Sequence, residues 1–221
     1  MPIFNIIYSL GLFMGIGGSV LYSSEKGRRE NGCYNEFFST ALLGTAALAA
    51  IAWTGIVFFG EPLLRLFGAE QTLLPLTKAY LFPIKIVIPV FVFNQMLAAF
   101  LRNDNAPGLA TAAVLGGGIF NVFGDYFFVF AMDMGILGAG LATAAGACIT
   151  LLIMLTHFFS KRCTLKFVSI HYLFIKVKGI LTTGFSTFFV DLAVGIMTML
   201  FNRQIVRYLG TDALSVYGLI V

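Results

Sequence analysis

An amide and a carboxylate lie four residues apart in a stretch that is otherwise almost wholly apolar. They are Asn121 and Asp125, within residues 107–143, PGLATAAVLGGGIFNVFGDYFFVFAMDMGILGAGLAT. Spacing of i, i+4 puts both on one face of a helix. A carboxylate placed in hydrocarbon costs about 2.5–3.5 kcal/mol on insertion scales. Chemistry that needs such a group is reversible binding of a cation or proton in a wet cavity. The amide of Asn121 can add an oxygen ligand or a hydrogen bond to that carboxylate. Thr143 lies ten residues past the turn at Asp133, and Asp125 eight before it. In two antiparallel helices their depths differ by only about 3 Å at 1.5 Å per residue, so the Thr143 hydroxyl is a candidate third oxygen. Each residue also has a plainer reading: an Asp near enough to a helix end to reach water, an Asn bonding a neighbouring helix, and a Thr bonded back to its own helix.

Three further polar residues lie inside apolar runs. Asn94 and Gln95 are adjacent amides in the middle of a span, and one of them is expected to face the same cavity. Asp191, in FSTFFVDLAVG, is a second intramembrane carboxylate. It is a second candidate site, or a partner for a helix outside this chain. Gly116, Gly117 and Gly118 precede Asn121 and read as a close helix contact. Gly15, Gly17 and Gly18 also read as packing. Lys78 and Lys85 are expected to snorkel outward, and Pro83 and Pro89 to kink their helix.

The elements that must hold these residues are membrane spans. Of 221 residues 59% are hydrophobic and 11% charged, with mean hydropathy +0.93 and 24 Phe. Soluble domains run at about 25% charged. The fold class is therefore all-α polytopic membrane protein. Runs of about 20 apolar residues are too long for the roughly 10-residue alternating strands of a β-barrel. Six spans are expected near 2–23, 37–59, 74–101, 107–131, 136–159 and 179–208, with 211–221 starting a seventh. The first carries no basic n-region and no cleavage site, so it reads as a span and not a signal peptide.

Alternate connections carry 3, 1 and 5 basic residues, around Lys26, at Arg102 and over 161–178, against 1 and 0 in the others. By the positive-inside rule the first set is cytoplasmic in a multi-pass protein of the plasma membrane. The first span would then begin outside the cell, which is most simply met by a helix upstream of it. The segment 161–178 either rests on the anionic leaflet or is an ordinary connection. The amphipathic stretch 59–69 is expected at the outer interface.

Several functions find no support in the residues. The net charge of +4 sits in loops as orientation signal, not as a nucleic-acid footprint. Cys33, Cys148 and Cys163 show no CxxC spacing, and with two His there is no zinc set. No P-loop, dinucleotide fingerprint or nucleophile elbow is present, so no enzyme and no organic cofactor is expected.

The run Phe100-Leu-Arg-Asn-Asp-Asn-Ala-Pro-Gly, then Asn121-x-x-x-Asp125-Tyr, then Asp133-Met-Gly-Ile-x-Gly-Ala-Gly-Leu-Ala-Thr143, resembles the multidrug and toxic compound extrusion (MATE) transporters. Phe67-Gly-Ala and Leu209-Gly-Thr-Asp-Ala-Leu resemble that family too. The resemblance implies twelve helices in two lobes, of which this chain covers helices two to seven and the start of eight. Residues 1–160 would belong to the amino-terminal lobe, 161–178 to the inter-lobe linker and 179–221 to the second lobe. It further implies antiport, H⁺ or Na⁺ in and organic cations or drugs out. Asn121, Asp125 and Thr143 match its amino-terminal cation site, with Na⁺ or a proton at Asp125. Asn94 or Gln95 matches a further amide, and Asp191 an acidic position in the seventh helix. The chain is thus expected to be a fragment of such a transporter, with the missing helices needed for a complete one. Two other readings stand beside it. A flippase for lipid-linked oligosaccharides would be expected to carry several basic residues inside the spans, and these hold few. A non-transporting membrane subunit would fit the short length.

Overall fold

The computed structural model describes residues 2–28, 34–66 and 74–220, and the chain is helical through most of them. Six helices follow one another: α1 (Pro2–Arg28), α2 (Tyr34–Leu66), α3 (Leu74–Asn103), α4 (Pro107–Asp125), α5 (Gly135–Leu155) and α6 (Leu173–Ile220). All six are long and apolar enough to cross a membrane. The expected all-α, multi-pass architecture is the one found. The Phe67-Gly-Ala motif and Cys33 lie outside the described residues.

Boundaries depart from expectation where the backbone chemistry is local. α2 runs on through Leu66, so residues 59–66 continue a span that was expected to end at 59. A break falls at Phe59 (φ −110°, ψ 16°), three residues before Pro62. Proline lacks the N–H for the i−4 bond and its ring crowds that carbonyl, so the helix must open there. Pro83 and Pro89, expected to kink α3, lie within a helix that runs unbroken from Leu74 to Asn103. The fourth span is α-helical only as far as Asp125. Tyr126–Ala131 is a π-helical turn, with the Met132 amide bonded five residues back to the Phe127 carbonyl at 3.0 Å. The last six residues of the expected linker, 173–178, already belong to α6. Gly210 takes φ 83°, ψ 178° and breaks α6, so 211–220 starts a new helical run as expected.

The turns explain the reversals. Pro107 opens α4, where its missing N–H would have had no intrahelical partner anyway. Asp133 (φ 52°) and Gly135 (φ 55°) turn the chain between the π segment and α5. Asp tolerates the left-handed region better than most side chains and Gly does so freely.

Packing puts α3 at the centre. In its most apolar window 61% of residues are buried, against 11% for α6, which lies along α1 at the edge. Glycines set the closest crossings. A Cβ on Gly17 would fall on the Ile180 carbonyl of α6, and one on Gly184 on the Phe13 carbonyl of α1. Gly11 and Gly15 meet Val92, Gln95 and Met96 of α3 in the same manner. The core divides along the helix axes. One cluster includes Met14, Tyr22, Phe38, Met96, Phe100, Met154 and Ile180; the other includes Ile7, Ile56, Leu81, Ile84, Ile88 and Val92.

Ion pairs confirm that alternate connections meet at opposite ends. Lys26, Asp104 and His157 converge at the end that carries most of the basic residues, the basic end. At the far end Glu61 of α2 pairs with Arg65 at 2.9 Å and with Lys78 of α3 at 2.5 Å. Lys85 reaches the same region, since a Cβ on Gly60 would lie 2.9 Å from its Nζ. Both lysines thus point to the end of α2.

Candidate functional site: a polar cavity between α3, α4 and α5

A cavity of about 300 Å³ opens between the third, fourth and fifth helices. Its lining brings together Asn94 and Gln95 from α3, Asn121 from α4 and Thr143 from α5, with Arg102 and Thr150. Both adjacent amides of α3 reach it, where one was expected. α4 and α5 pack closely along their length, at Gly124 against Ala142, at Gly116 against Ile153 and most tightly at Gly117. A Cβ on Gly117 would fall on the Thr150 hydroxyl and lie 2.6 Å from the Gly146 carbonyl. Of the three consecutive glycines only Gly117 sits at that crossing. Gly116 faces the tip of Ile153, and Gly118 has nothing within 4 Å.

Thr143 is the knot of the cavity wall. Its hydroxyl donates to the Ala139 carbonyl at 3.0 Å and accepts from the Asn121 amide at 3.2 Å. The Tyr80 hydroxyl lies 3.2 Å from the same oxygen. The plainer reading of Thr143, back-bonding, is therefore present, and the same hydroxyl also accepts a bond from Asn121. Replacing Thr143 by Val should leave the Asn121 and Tyr80 donors without an acceptor and cost about 1–3 kcal/mol. Thr143→Ser should recover most of that, read as thermal unfolding in detergent.

Asn94 donates to the Ala147 carbonyl at 2.9 Å, while its own carbonyl oxygen is buried with no partner among the described residues. Buried amide oxygens are nearly always satisfied, and one that is not has spare acceptor capacity. Asp125 is half-buried at the last residue of α4, and its Oδ1 is buried with no hydrogen-bond partner among the described residues. It is not among the residues lining the cavity, although Asn121, one turn before it, is. The π turn beginning at Tyr126 shows why counting along an ideal α-helix misjudges this region. π turns are rare and recur at functional positions.

Asp191, the second candidate site, does not line this cavity. It lies on α6, and its Oδ2 is buried with no hydrogen-bond partner among the described residues. Gly184 meets Phe13 and Gly195 meets Asn5, so Asp191 lies level with the Ile6–Ser9 turn of α1, away from α4 and α5. Asp133 is exposed in its turn, as a solvated loop residue should be.

Sequence reasoning missed the most heavily bonded carboxylate among the described residues. Asp104, in the short turn after α3, is fully buried. Its Oδ1 accepts from the Tyr22 hydroxyl (2.9 Å), the Lys26 ammonium (2.9 Å) and the Thr164 hydroxyl. Its Oδ2 accepts from the Thr164 amide (2.9 Å) and lies 2.9 Å from His157 Nε2. Burial alone would raise this carboxyl, but the bonds from Thr164, His157 and Lys26 outweigh it and hold it well below the usual carboxylate range. A depressed group stabilises the fold at pH values above its unfolded value, about 3.9, and loses that contribution as pH falls further. The stability gap between wild type and Asp104→Asn should therefore stay constant from pH 8 to about 5 and close in stronger acid.

Cys163 approaches the same cluster, with ligand atoms of Asp104, His157 and Cys163 within 4.8 Å of one another. Both Asp104 oxygens are already saturated by donors. Burial also pushes the Cys163 thiol up, away from the thiolate a metal would bind. The cluster is a hydrogen-bond hub.

These features define a class: a multi-pass helical membrane protein with a polar cavity among its spans and, within those spans, buried carboxylate oxygens that no described residue bonds. The MatE family model matches residues 1–127, more than half of the chain, and the chain belongs to that family. Multidrug export protein MepA of Staphylococcus saprophyticus is 26% identical over 223 residues, covering 99% of this chain and 49% of that protein. MepA of Staphylococcus aureus is 24% identical over 224 residues, with the same coverage. An inward-facing multidrug resistance MATE transporter superposes with TM-score 0.90 at 22% identity, over 98% of this chain and 50% of its own. The MATE multidrug transporter DinF-BH, solved in complex with a ligand, gives 0.89 at 25% identity, over 100% and 50%. The chain spans about half the length of the curated relatives it matches. Those relatives are named as export proteins, in agreement with the expectation of no enzyme.

Proposed function

We propose that this chain carries the cation-binding half of a cation-coupled multidrug antiporter of the plasma membrane, with H⁺ or Na⁺ as the coupling ion. The observation that carries the reading is Asp125. It is a half-buried carboxylate with an unpaired buried oxygen, one helical turn from an amide in the cavity wall. A charge with no permanent partner is free to take and release a small cation. Asn121 is the group that would pass the effect of that event to the cavity. A bound ion can shift an equilibrium between inward- and outward-open states only through its differential affinity for them. The Asn94 oxygen and the aromatic wall of Tyr8 and Phe91 suit a flat organic cation, which aromatic faces attract. The names of the MepA relatives support drugs as the cargo. Expression of the gene carrying this chain in an efflux-deficient host tests the proposal. Reduced accumulation of a cationic dye, abolished by collapse of the proton or sodium gradient, is expected. Accumulation equal to that of cells lacking the gene would overturn it.

A further inference from the structure

The chain between α5 and α6 crosses the basic end in extended form, and it is held there by its backbone. The amide of Thr164 donates to Asp104 Oδ2 at 2.9 Å, that of Lys166 to Asn35 Oδ1 at 3.0 Å, and that of Val168 to Ser39 Oγ at 2.9 Å. Alternate residues of an extended chain face the same way, so three successive inward amides each find a side-chain acceptor. The acceptors sit on the turn after α3 and on the first turns of α2. The His171 amide then donates to Glu36 Oε2 at 2.8 Å, and Lys176, already in α6, reaches the same oxygen at 3.3 Å. Between them Tyr172 takes φ 56°, a conformation uncommon for a bulky residue. Its carbonyl accepts the Ile175 amide at 3.0 Å, so the strained residue is fixed on both sides.

None of these acceptors is needed to make a connection. A loose tether would leave its amides to water. Asp104 is the costliest part of the arrangement, a buried carboxylate tied at once to α1 through Tyr22 and Lys26, to the end of α5 through His157, and to the strap through Thr164. Beyond the strap, α6 meets α1 at its tightest crossing, with Ile180 fully buried against Gly17. Strap and crossing are adjacent in sequence and lie at the same end of the molecule.

We propose that residues 161–172 form a latch, buckled by Asp104 and by the acceptors on α2, that holds α6 against α1 and closes the basic end. Parting α1 from α6 there requires the latch to be released. The two helices otherwise meet through glycine-mediated backbone contact, which closes when brought together and, among the described residues, offers no charge pair of its own to hold it.

The test reads the buried face of α6 directly. In a background with Cys33, Cys148 and Cys163 replaced by Ala, a reporter is placed by Ile180→Cys, and a control by Ala110→Cys in the core of α1–α5. Both native positions are fully buried. Labelling by a small maleimide is timed in native membranes. Asp104→Asn, and separately Ser39→Ala, should speed labelling of the Ile180 reporter about tenfold or more and leave the Ala110 control unchanged. An unchanged reporter rate in both variants would overturn the latch. A parallel rise at Ala110 would overturn it as well, because Asp104 would then be holding the whole bundle. Ser39→Ala removes one buried hydroxyl, which accepts a single strap amide, and keeps the test open if Asp104→Asn fails to fold.

Discussion

Asp125→Asn is expected to abolish gradient-driven dye export while making the folded protein more stable. The two effects have one cause. A carboxylate within an apolar span, with a buried oxygen that no described residue bonds, is a standing cost. Replacing it by an amide of nearly the same shape removes the charge, and should raise stability by part of the roughly 2.5–3.5 kcal/mol that the insertion scale assigns to Asp. The amide cannot be protonated and is a weaker ligand for Na⁺, so the coupling event is lost. Stabilisation by removal of a functional group is a recurrent trade. A merely structural Asp would give the reverse pattern, with stability falling and export falling only as far as the amount of folded protein falls. Export per folded molecule, measured beside the unfolding midpoint, separates the two.

A second large effect separates neighbouring glycines. Gly117→Ala should destabilise by about 1–3 kcal/mol, because the new methyl group meets the Thr150 hydroxyl and the Gly146 backbone at a helix crossing that cannot yield without moving α4. Gly118→Ala, one residue on, meets nothing within 4 Å. It should stabilise by about 0.5–1 kcal/mol, through the lower backbone entropy of Ala in a helix. Opposite signs at adjacent positions are the expected result, measured by thermal unfolding in detergent. The same crossing spaces the cavity, so Gly117→Ala should also weaken dye binding.

The spans were legible because hydrocarbon imposes a length and a composition that any sequence must meet. The pairing of α4 with α5 was legible from Asp133 and the small residues that follow it. The cavity was legible in part: Asn94, Gln95, Asn121 and Thr143 reach it, while Asp125 stands just beyond its lining and Asp191 faces α1. The π turn after Asp125 could not be read from YFFVFA, whose apolar pattern serves either kind of helix. Asp104 escaped for a different reason. In Arg102-Asn-Asp-Asn it looks like any solvated turn residue, and its partners Lys26, His157 and Thr164 stand 78, 53 and 60 positions away. No local spacing encodes a hub assembled from four separate segments. The visible signal was composition alone: polar residues gathered at the basic ends of α1, α2, α3 and α5.

The central claim is that a small cation and an organic cation bind in mutual dependence through Asp125. The most direct measurement is the affinity of the purified chain in lipid nanodiscs for a fluorescent cationic dye, titrated at pH 8 and pH 6, each with and without Na⁺. The account predicts that protons or Na⁺ weaken dye binding in the wild type, and that Asp125→Asn binds dye with one affinity under all four conditions. Wild-type affinity that stays the same across those conditions would contradict it.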